Sequence, residues 1–228
     1  MRGAARASCV SVPSITGACA GSRPRGRWKP SRNCRGCRIS TMSPAVFLDR
    51  DGTLIAEVGY LRRVEQLELF PWTVDALRLL QRAGFKLVVV TNQSGVALGL
   101  LEESTVRTVH EALDVRLRRG GARIDAYYYC PHHPRGTVPA YTSDCSCRKP
   151  RAGLVERAAR DLDLDVARSW VVGDRWLDVG LAASCGARGL LVRTGYGETS
   201  ASEPQDGLAA DAILANLMEA AGWILRHS

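Results

Sequence analysis

The sequence predicts an α/β fold in which a parallel sheet is covered by helices on both faces, and three observations carry that prediction. From Ala45 onward, short apolar runs alternate with stretches in which apolar residues recur every three or four positions. The runs are apolar at nearly every position, as strands buried on both faces require. Three of the runs are followed by Asp, Thr-Asn and Gly-Asp, polar groups at the strand ends where open α/β sheets keep their chemistry.

Residues 46–48 form the first strand of this reading. Residues 73–83 carry Val74, Leu77 and Leu80 on one side and close at Gly84, which predicts a helix. Residues 87–90 are the second strand. The helix after it spans 102–118, with Val106, Val109, Leu113 and Leu117 in register and Gly120-Gly121 as its stop. Strands at 126–129, 170–172 and 190–192 and helices at 153–162 and 177–183 continue the alternation. Residues 211–225 read as a final helix with Leu214, Leu217, Ala221 and Leu225 on one face. No internal repeat is visible, and no apolar run is long enough to cross a bilayer.

The formal net charge of +8 hints at nucleic acid until it is divided by region. Of 31 basic residues, nine fall within residues 1–42, which hold no Asp or Glu, so 22 remain against 23 acidic ones, a net of −1. The charge therefore belongs to an arm rich in Arg, Ser, Gly and Pro, expected to be disordered. An acid-free, Arg- and Ser-rich start fits a targeting segment, and a translation start at Met42 fits equally. Residues 43–228 form one folded domain. Its 46% hydrophobic and 24% charged content, counted over the whole chain, is ordinary for a globular protein.

Eight cysteines fall into two sets. Cys9, Cys19, Cys34 and Cys37 lie in the arm, where Cys34 and Cys37 form a lone CxxC without a partner pair. Cys130, Cys145 and Cys147 cluster with histidines, which favours metal over disulfides and a reducing, cytoplasmic compartment. Cys130-Pro131-His132 and Cys145-Ser146-Cys147 bracket a loop at 130–147. Three thiolates and an imidazole are a closed tetrahedral zinc set, with His132 as the fourth ligand and His133 as the alternative. With no position left open, such a zinc is structural. The loop is rich in Pro and Gly and poor in apolar residues, so a metal clip would order it. Cys185 reads as a buried thiol.

Val46-Phe47-Leu48-Asp49-Arg50-Asp51-Gly52-Thr53-Leu54 delivers two aspartates, one residue apart, to a strand tip. By strand alternation they point the same way. Two carboxylates beside a glycine turn with free N–H groups suit a divalent cation together with a phosphoryl group. Thr91-Asn92 leaves the second strand with a hydroxyl and an amide. Gly173-Asp174 ends the fourth, with Asp178 one helical turn on, and Lys149 precedes a proline in a loop between them. Each feature has a plain structural reading as a turn, a surface pair or a helix cap; together, at successive strand ends, they make a phosphate and metal site.

This set resembles the haloacid dehalogenase (HAD) superfamily of phosphohydrolases, whose four motifs match Asp49-Arg50-Asp51-Gly52-Thr53, Thr91-Asn92, Lys149 and Gly173-Asp174. The resemblance implies a HAD-like, Rossmann-like domain. Asp49 would be the nucleophile and Asp51 the acid and base, with Thr91 and Lys149 balancing charge on the phosphoryl group. Asp49, Asp51 through its main-chain carbonyl, and Asp174 would hold Mg²⁺. Asp178 would support Lys149 or the metal, or else be a helix-surface acid.

With the zinc loop included, the chain from Ala45 to Gly195 is similar to the D-glycero-D-manno-heptose 1,7-bisphosphate phosphatases and to the histidinol-phosphate phosphatases of the same subgroup. Glu57-Val58-Gly59-Tyr60, Thr91-Asn92-Gln93-Ser94-Gly95, Tyr128-Tyr129-Cys130-Pro131-His132-His133-Pro134, Cys145-Ser146-Cys147-Arg148-Lys149-Pro150 and Leu191-Val192-Arg193-Thr194-Gly195 carry the likeness. It implies that Glu57, Val58, Gly59, Tyr60, Thr91, Asn92, Gln93 and Ser94 line the substrate pocket, with Arg148 and Lys149. Arg148 would contact the substrate beyond the phosphate being cleaved, since a guanidinium grips a second phosphate bidentately. Arg175 stands where the family often has Lys. The spacing between motifs leaves no room for a large cap domain, so the pocket should be open.

The expected activity is Mg²⁺-dependent removal of the C7 phosphate of heptose 1,7-bisphosphate by a monomer. Histidinol-phosphate phosphatase is the second reading. A polynucleotide 3′-phosphatase or nucleic-acid-binding zinc protein is the third, which a body of net charge −1 argues against.

Overall fold

The computed structural model describes residues 42–228. The expected disorder of the arm and its Cys34/Cys37 pair lie outside the described residues. Strands β1 (Ser43–Leu48), β2 (Lys86–Asn92), β3 (Ala126–Cys130), β4 (Leu164–Gly173), β5 (Arg188–Val192) and β6 (Ala212–Leu214) form one parallel sheet in the order β3-β2-β1-β4-β5-β6. The chain builds outward from β1 through β2 to β3, then returns to its other side for β4 to β6. The order therefore reverses at β1, and a crevice opens at the carboxyl ends of β1 and its neighbours.

Side-chain alternation divides the strand residues between two cores. Val46, Leu48, Leu87, Val89, Trp170 and Val172 face helices α1 (Thr73–Arg82), α2 (Glu103–Arg119) and α6 (Leu217–His227), which contribute Leu77, Leu80, Leu113, Leu117 and Ile224. Ala45, Phe47, Val88, Val90 and Val171 face α3 (Gly153–Leu162) and α4 (Trp176–Cys185), which contribute Leu154, Val155, Leu181 and Ala182. Both faces are thus covered, which explains why the strands read as continuous apolar runs. Among the described residues, the longer connections hold only single-turn 3₁₀ segments at Val64–Gln66 and Pro139–Tyr141 and the six-residue helix α5 (Gly197–Ser202), and none is a large cap domain.

The C-terminal reading needs correction. The helix expected over 211–225 begins only at Leu217, because Ala212–Leu214 pairs with β5 as an edge strand. Asp211 anchors that strand, its N–H donating to Gly189 O at 2.8 Å and its carboxylate accepting from Gly189 N at 2.7 Å. Asn216 then starts the helix, its side chain accepting from Met218 N and Glu219 N at 2.9 and 3.1 Å. Strand β4 begins six residues before the expected start and runs beside β1 through a register shift between Pro44 and Val46. The Ser169 hydroxyl occupies that break, accepting from Ala45 N at 2.8 Å. Cys185 is half-buried rather than fully buried.

Candidate active site

At the tip of β1 the chain turns sharply. Arg50 O accepts from Leu54 N and Ile55 N at 3.0 and 3.2 Å, and Gly52 sits at φ 76°. A side chain at Gly52 would be strained by that φ. It would also meet Asp174, since a Cβ there would stand 2.1 Å from Asp174 Oδ2. One detail of the expected turn differs: the Gly52 N–H is not free but donates to Ile55 O at 2.8 Å. Gly195, at φ 58° beyond β5, closes the other side, with Tyr196 N donating to Asp174 Oδ2 at 2.8 Å.

Asp49, Asp51, Glu57, Gly59, Tyr60, Thr91, Asn92, Gln93, Ser94, Arg148, Lys149 and Asp174 line one cavity of about 210 Å³. Val58 is the expected pocket residue that does not reach it; its side chain faces solvent at 43% exposure. Leu177 and Tyr196 were not foreseen in the lining. Arg175 stacks over the Tyr196 ring, its Cζ 3.8 Å from the centroid, and puts a second guanidinium at the rim.

Lys149 is 4% exposed, so the loop that carries it delivers the ammonium inward. Its Nζ donates to Val90 O at 3.1 Å and to Asp178 Oδ1 at 2.6 Å, and stands 2.8 Å from Asp49 Oδ1. Asp178 is therefore the partner of Lys149 rather than a helix-surface acid, and its other oxygen accepts from Arg175 N at 3.2 Å to start α4. Asn92 is spent on the same loop: its amide donates to Lys149 O at 3.2 Å and accepts from Lys149 N at 3.0 Å. Asn92 thus holds Lys149 in place from the tip of β2.

Asp49, Asp174 and Asp178 offer carboxylate oxygens within 4.8 Å of one another. Burial pushes Asp49 up to about 6, against the pull of Lys149, and pushes Asp174 up to about 8 with the Asp49 charge adding to it. Burial alone would lower Lys149, but the Asp178 and Asp49 carboxylates outweigh it and hold the ammonium above its usual range. Asp174 Oδ1 is buried with no hydrogen-bond partner. Crowded acids with an orphaned buried oxygen fit a divalent cation, which would supply the missing positive charge. The Asp51 carboxylate is outside this group. It accepts from Arg50 Nη2 at 2.8 Å and from Gln93 Nε2 at 2.9 Å, and Gln93 also donates to Thr91 Oγ1 at 3.0 Å.

The loop at 130–147 brings Cys130, His132, Cys145 and Cys147 together. The sulfurs lie 3.1 to 3.4 Å apart and His132 Nδ1 is 3.4 Å from Cys147 Sγ. All three thiols are free, and the spacing is far from the ~2.05 Å of a disulfide. A closed set of three sulfurs and one imidazole nitrogen fits a structural metal. His133 is excluded from it, its Nδ1 accepting instead from Arg135 N at 3.1 Å. Glu103 on α2 braces the loop, accepting from Tyr129 OH at 2.6 Å and Tyr141 OH at 2.8 Å. The loop in turn orients the pocket, because Arg148 Nη1 donates to His132 O at 3.1 Å.

A parallel sheet whose strand tips converge a buried lysine and four aspartates defines a phosphoric monoester hydrolase of the HAD type, and a HAD-hydrolase-like family model matches residues 146–220. The chain is 42% identical over 178 residues to the D-glycero-beta-D-manno-heptose-1,7-bisphosphate 7-phosphatase of Escherichia coli K12, covering 77% of this chain and 91% of that protein. The Yersinia pestis enzyme of the same name is 40% identical over 178 residues, covering 77% and 92%. The crystal structure of the D,D-heptose 1,7-bisphosphate phosphatase from B. bronchiseptica, complexed with magnesium and phosphate, superposes with a TM-score of 0.72 at 30% identity, covering 81% of this chain and 99% of that one. The chain belongs to the D-glycero-D-manno-heptose 1,7-bisphosphate 7-phosphatase family of HAD hydrolases. Among the described residues, no helix is long and apolar enough to cross a membrane.

Proposed function

We propose that this protein is a cytoplasmic, monomeric enzyme that removes the C7 phosphate of D-glycero-D-manno-heptose 1,7-bisphosphate, the substrate for which its relatives are named. The observation that carries the reading is the pairing of Lys149 with Asp49 in the same cavity as Arg148, the next residue along the chain. One phosphate is held at the nucleophile while a second meets a guanidinium.

Asp49 attacks phosphorus in line, the bond to the C7 oxygen breaks, and the departing oxygen takes a proton from Asp51. The resulting aspartyl-phosphate is opened by water, whose proton returns to Asp51, releasing phosphate and restoring Asp49. Lys149 and the Thr91 hydroxyl bind the equatorial oxygens, where charge is spread in the transition state. Mg²⁺ held by Asp49, Asp174 and the main-chain carbonyl of Asp51 would supply further positive charge to those oxygens. Zn²⁺ in the Cys130, His132, Cys145 and Cys147 set would be structural and would fix Arg148 through His132. Glu57, Gly59, Tyr60, Gln93 and Ser94 surround the sugar. Residues 43–228, the HAD-like phosphatase domain of this reading, supply every group used here.

A substrate panel tests the assignment. With Mg²⁺, phosphate release from heptose 1,7-bisphosphate should greatly exceed release from histidinol phosphate or a 3′-phosphorylated oligonucleotide. A reversed ranking sinks it in favour of whichever substrate leads. Asp49→Asn should abolish turnover with the circular dichroism spectrum unchanged, and retained activity would remove Asp49 as nucleophile.

A further inference from the structure

Between the two aspartates of β1's tip lies Arg50, 1% exposed and absent from the cavity lining. A guanidinium has N–H donors and no acceptor, so a buried one must find acceptors on several sides. Nε reaches Asp51 Oδ1 and Oδ2 at 3.1 and 3.2 Å, and Nη2 donates to Asp51 Oδ2 at 2.8 Å and to Gln93 Oε1 at 2.9 Å. Nη1 faces the other way and meets Nε2 of His110 on α2, at 3.2 Å, across 60 residues of sequence. Because Nη1 can only donate, Nε2 must offer its lone pair, and the ring carries its proton on Nδ1.

His110 is built to stay in that state. The ring is 6% exposed, stacked on Tyr127 with centroids 5.0 Å apart and set edge-on to Tyr129 at 5.7 Å. Burial, and then the Arg50 charge, hold it far below the usual histidine range, down to about 3.

We infer that His110 is a positioning residue for the acid–base step: its Nε2 fixes the Arg50 guanidinium, which fixes the Asp51 carboxylate. The inference rests on the reading of Asp51 as acid and base given above. A bidentate Arg–carboxylate contact sets orientation as well as charge. Without an acceptor on Nη1, a buried donor is left unpaired, and the guanidinium can satisfy it only by shifting from its present hold on Asp51.

The test uses two variants and two leaving groups. An alkyl phosphate needs the proton from Asp51, whereas the phenolate of p-nitrophenyl phosphate leaves without one. His110→Phe keeps the stack on Tyr127 and removes the acceptor. It should lower kcat/KM for alkyl phosphates roughly 10- to 100-fold, the scale of a misplaced catalytic group, with kcat/KM for p-nitrophenyl phosphate little changed. His110→Gln, which restores an acceptor, should recover most of the loss. Equal losses on both substrates, or no rescue by Gln, would overturn the inference. The wild-type protein provides a readout that does not depend on the variants folding: the ¹⁵N resonance of His110 Nε2 should be that of an unprotonated nitrogen at neutral pH, and a protonated Nε2 overturns the inference as well. Failure of the wild type on heptose bisphosphate would instead count against the substrate assignment, since the leaving-group contrast and the resonance are read separately.

Discussion

Lys149 Nζ lies 2.6 Å from Asp178 Oδ1, an ion pair in which both side chains are at most 3% exposed. The pair serves the site by leaving Lys149 a fixed ammonium rather than a mobile one, because Asp178 is itself locked by the first turn of α4. A Cβ at Gly173 would stand 2.1 Å from Asp178 Cγ, so the glycine before Asp174 makes room for this carboxylate.

Replacing Lys149 by Met removes the cation from a group of three buried acids. Breaking a buried pair in this way costs about 3–5 kcal/mol, and urea unfolding in EDTA should show a loss of that size. Turnover should fall by about 10²–10³-fold, the usual effect of losing one group that stabilises transition-state charge. Near-normal stability of the metal-free variant would mean that the acids are not mutually repelling.

The pH dependence follows from Asp49, near 6, and Asp174, near 8. A carboxyl whose pKa is higher folded than unfolded contributes stability that is complete below its unfolded value, about 4, and lost as pH rises through its folded value. The melting midpoint of the metal-free protein should therefore fall as pH rises from about 5 to about 8.5, with His110, held low in the folded state, offsetting part of the fall in the lower half of that range. A divalent cation needs these same groups ionised, so the gain in melting midpoint from excess Mg²⁺ should grow over the same interval. Thermal melts with EDTA and with Mg²⁺ across that range check both, and a Mg²⁺ effect that shrinks with pH would contradict them.

Loss of metal from the cysteine loop should be felt in binding. Arg148 is held by His132 O, so Cys145→Ser should raise KM for a bisphosphate more than it lowers kcat, with a smaller effect on a monophosphate. Metal analysis should find about one zinc per chain in the wild type and little in the variant. An unchanged KM ratio would separate the loop from substrate recognition.

How far the sequence can be read depends on which physical signal each element carries. The inner strands were legible because Val46–Leu48 and Val88–Val90 must be apolar on both faces. β6 was not, because Ala212, Ile213 and Leu214 fit a helical period as well as a strand and only their pairing with β5 decides. The strand-tip residues were legible from their chemistry and position. Asn92 suits a substrate contact by type and does line the cavity, but no sequence signal shows that both its amide atoms also serve the Lys149 backbone. For Arg50 the only clue is alternation: if Asp49 and Asp51 face one way, the residue between them faces the other, into the protein. Tyr196 follows the tip of β5, just beyond the residues up to Gly195 that carry the family likeness, and still lines the cavity. The Arg50–His110 contact has no sequence signal, since the two are brought together only by α2 packing on the sheet.

Gly52 and Gly195 meet backbone to backbone, a Cβ on Gly195 falling 2.5 Å from Gly52 Cα, and Thr194 Oγ1 donates to Gly52 O at 2.5 Å. A chain growing from the ribosome has made Asp49, Asp51, Lys149, Asp174 and Asp178 by residue 178, yet nothing then holds Asp174, whose oxygen waits for the N–H of Tyr196. The site is therefore complete only once the turn after β5 has been made. Any product that stops short of β5 and its following turn would be a fragment with the acids of a phosphatase and no N–H to hold Asp174.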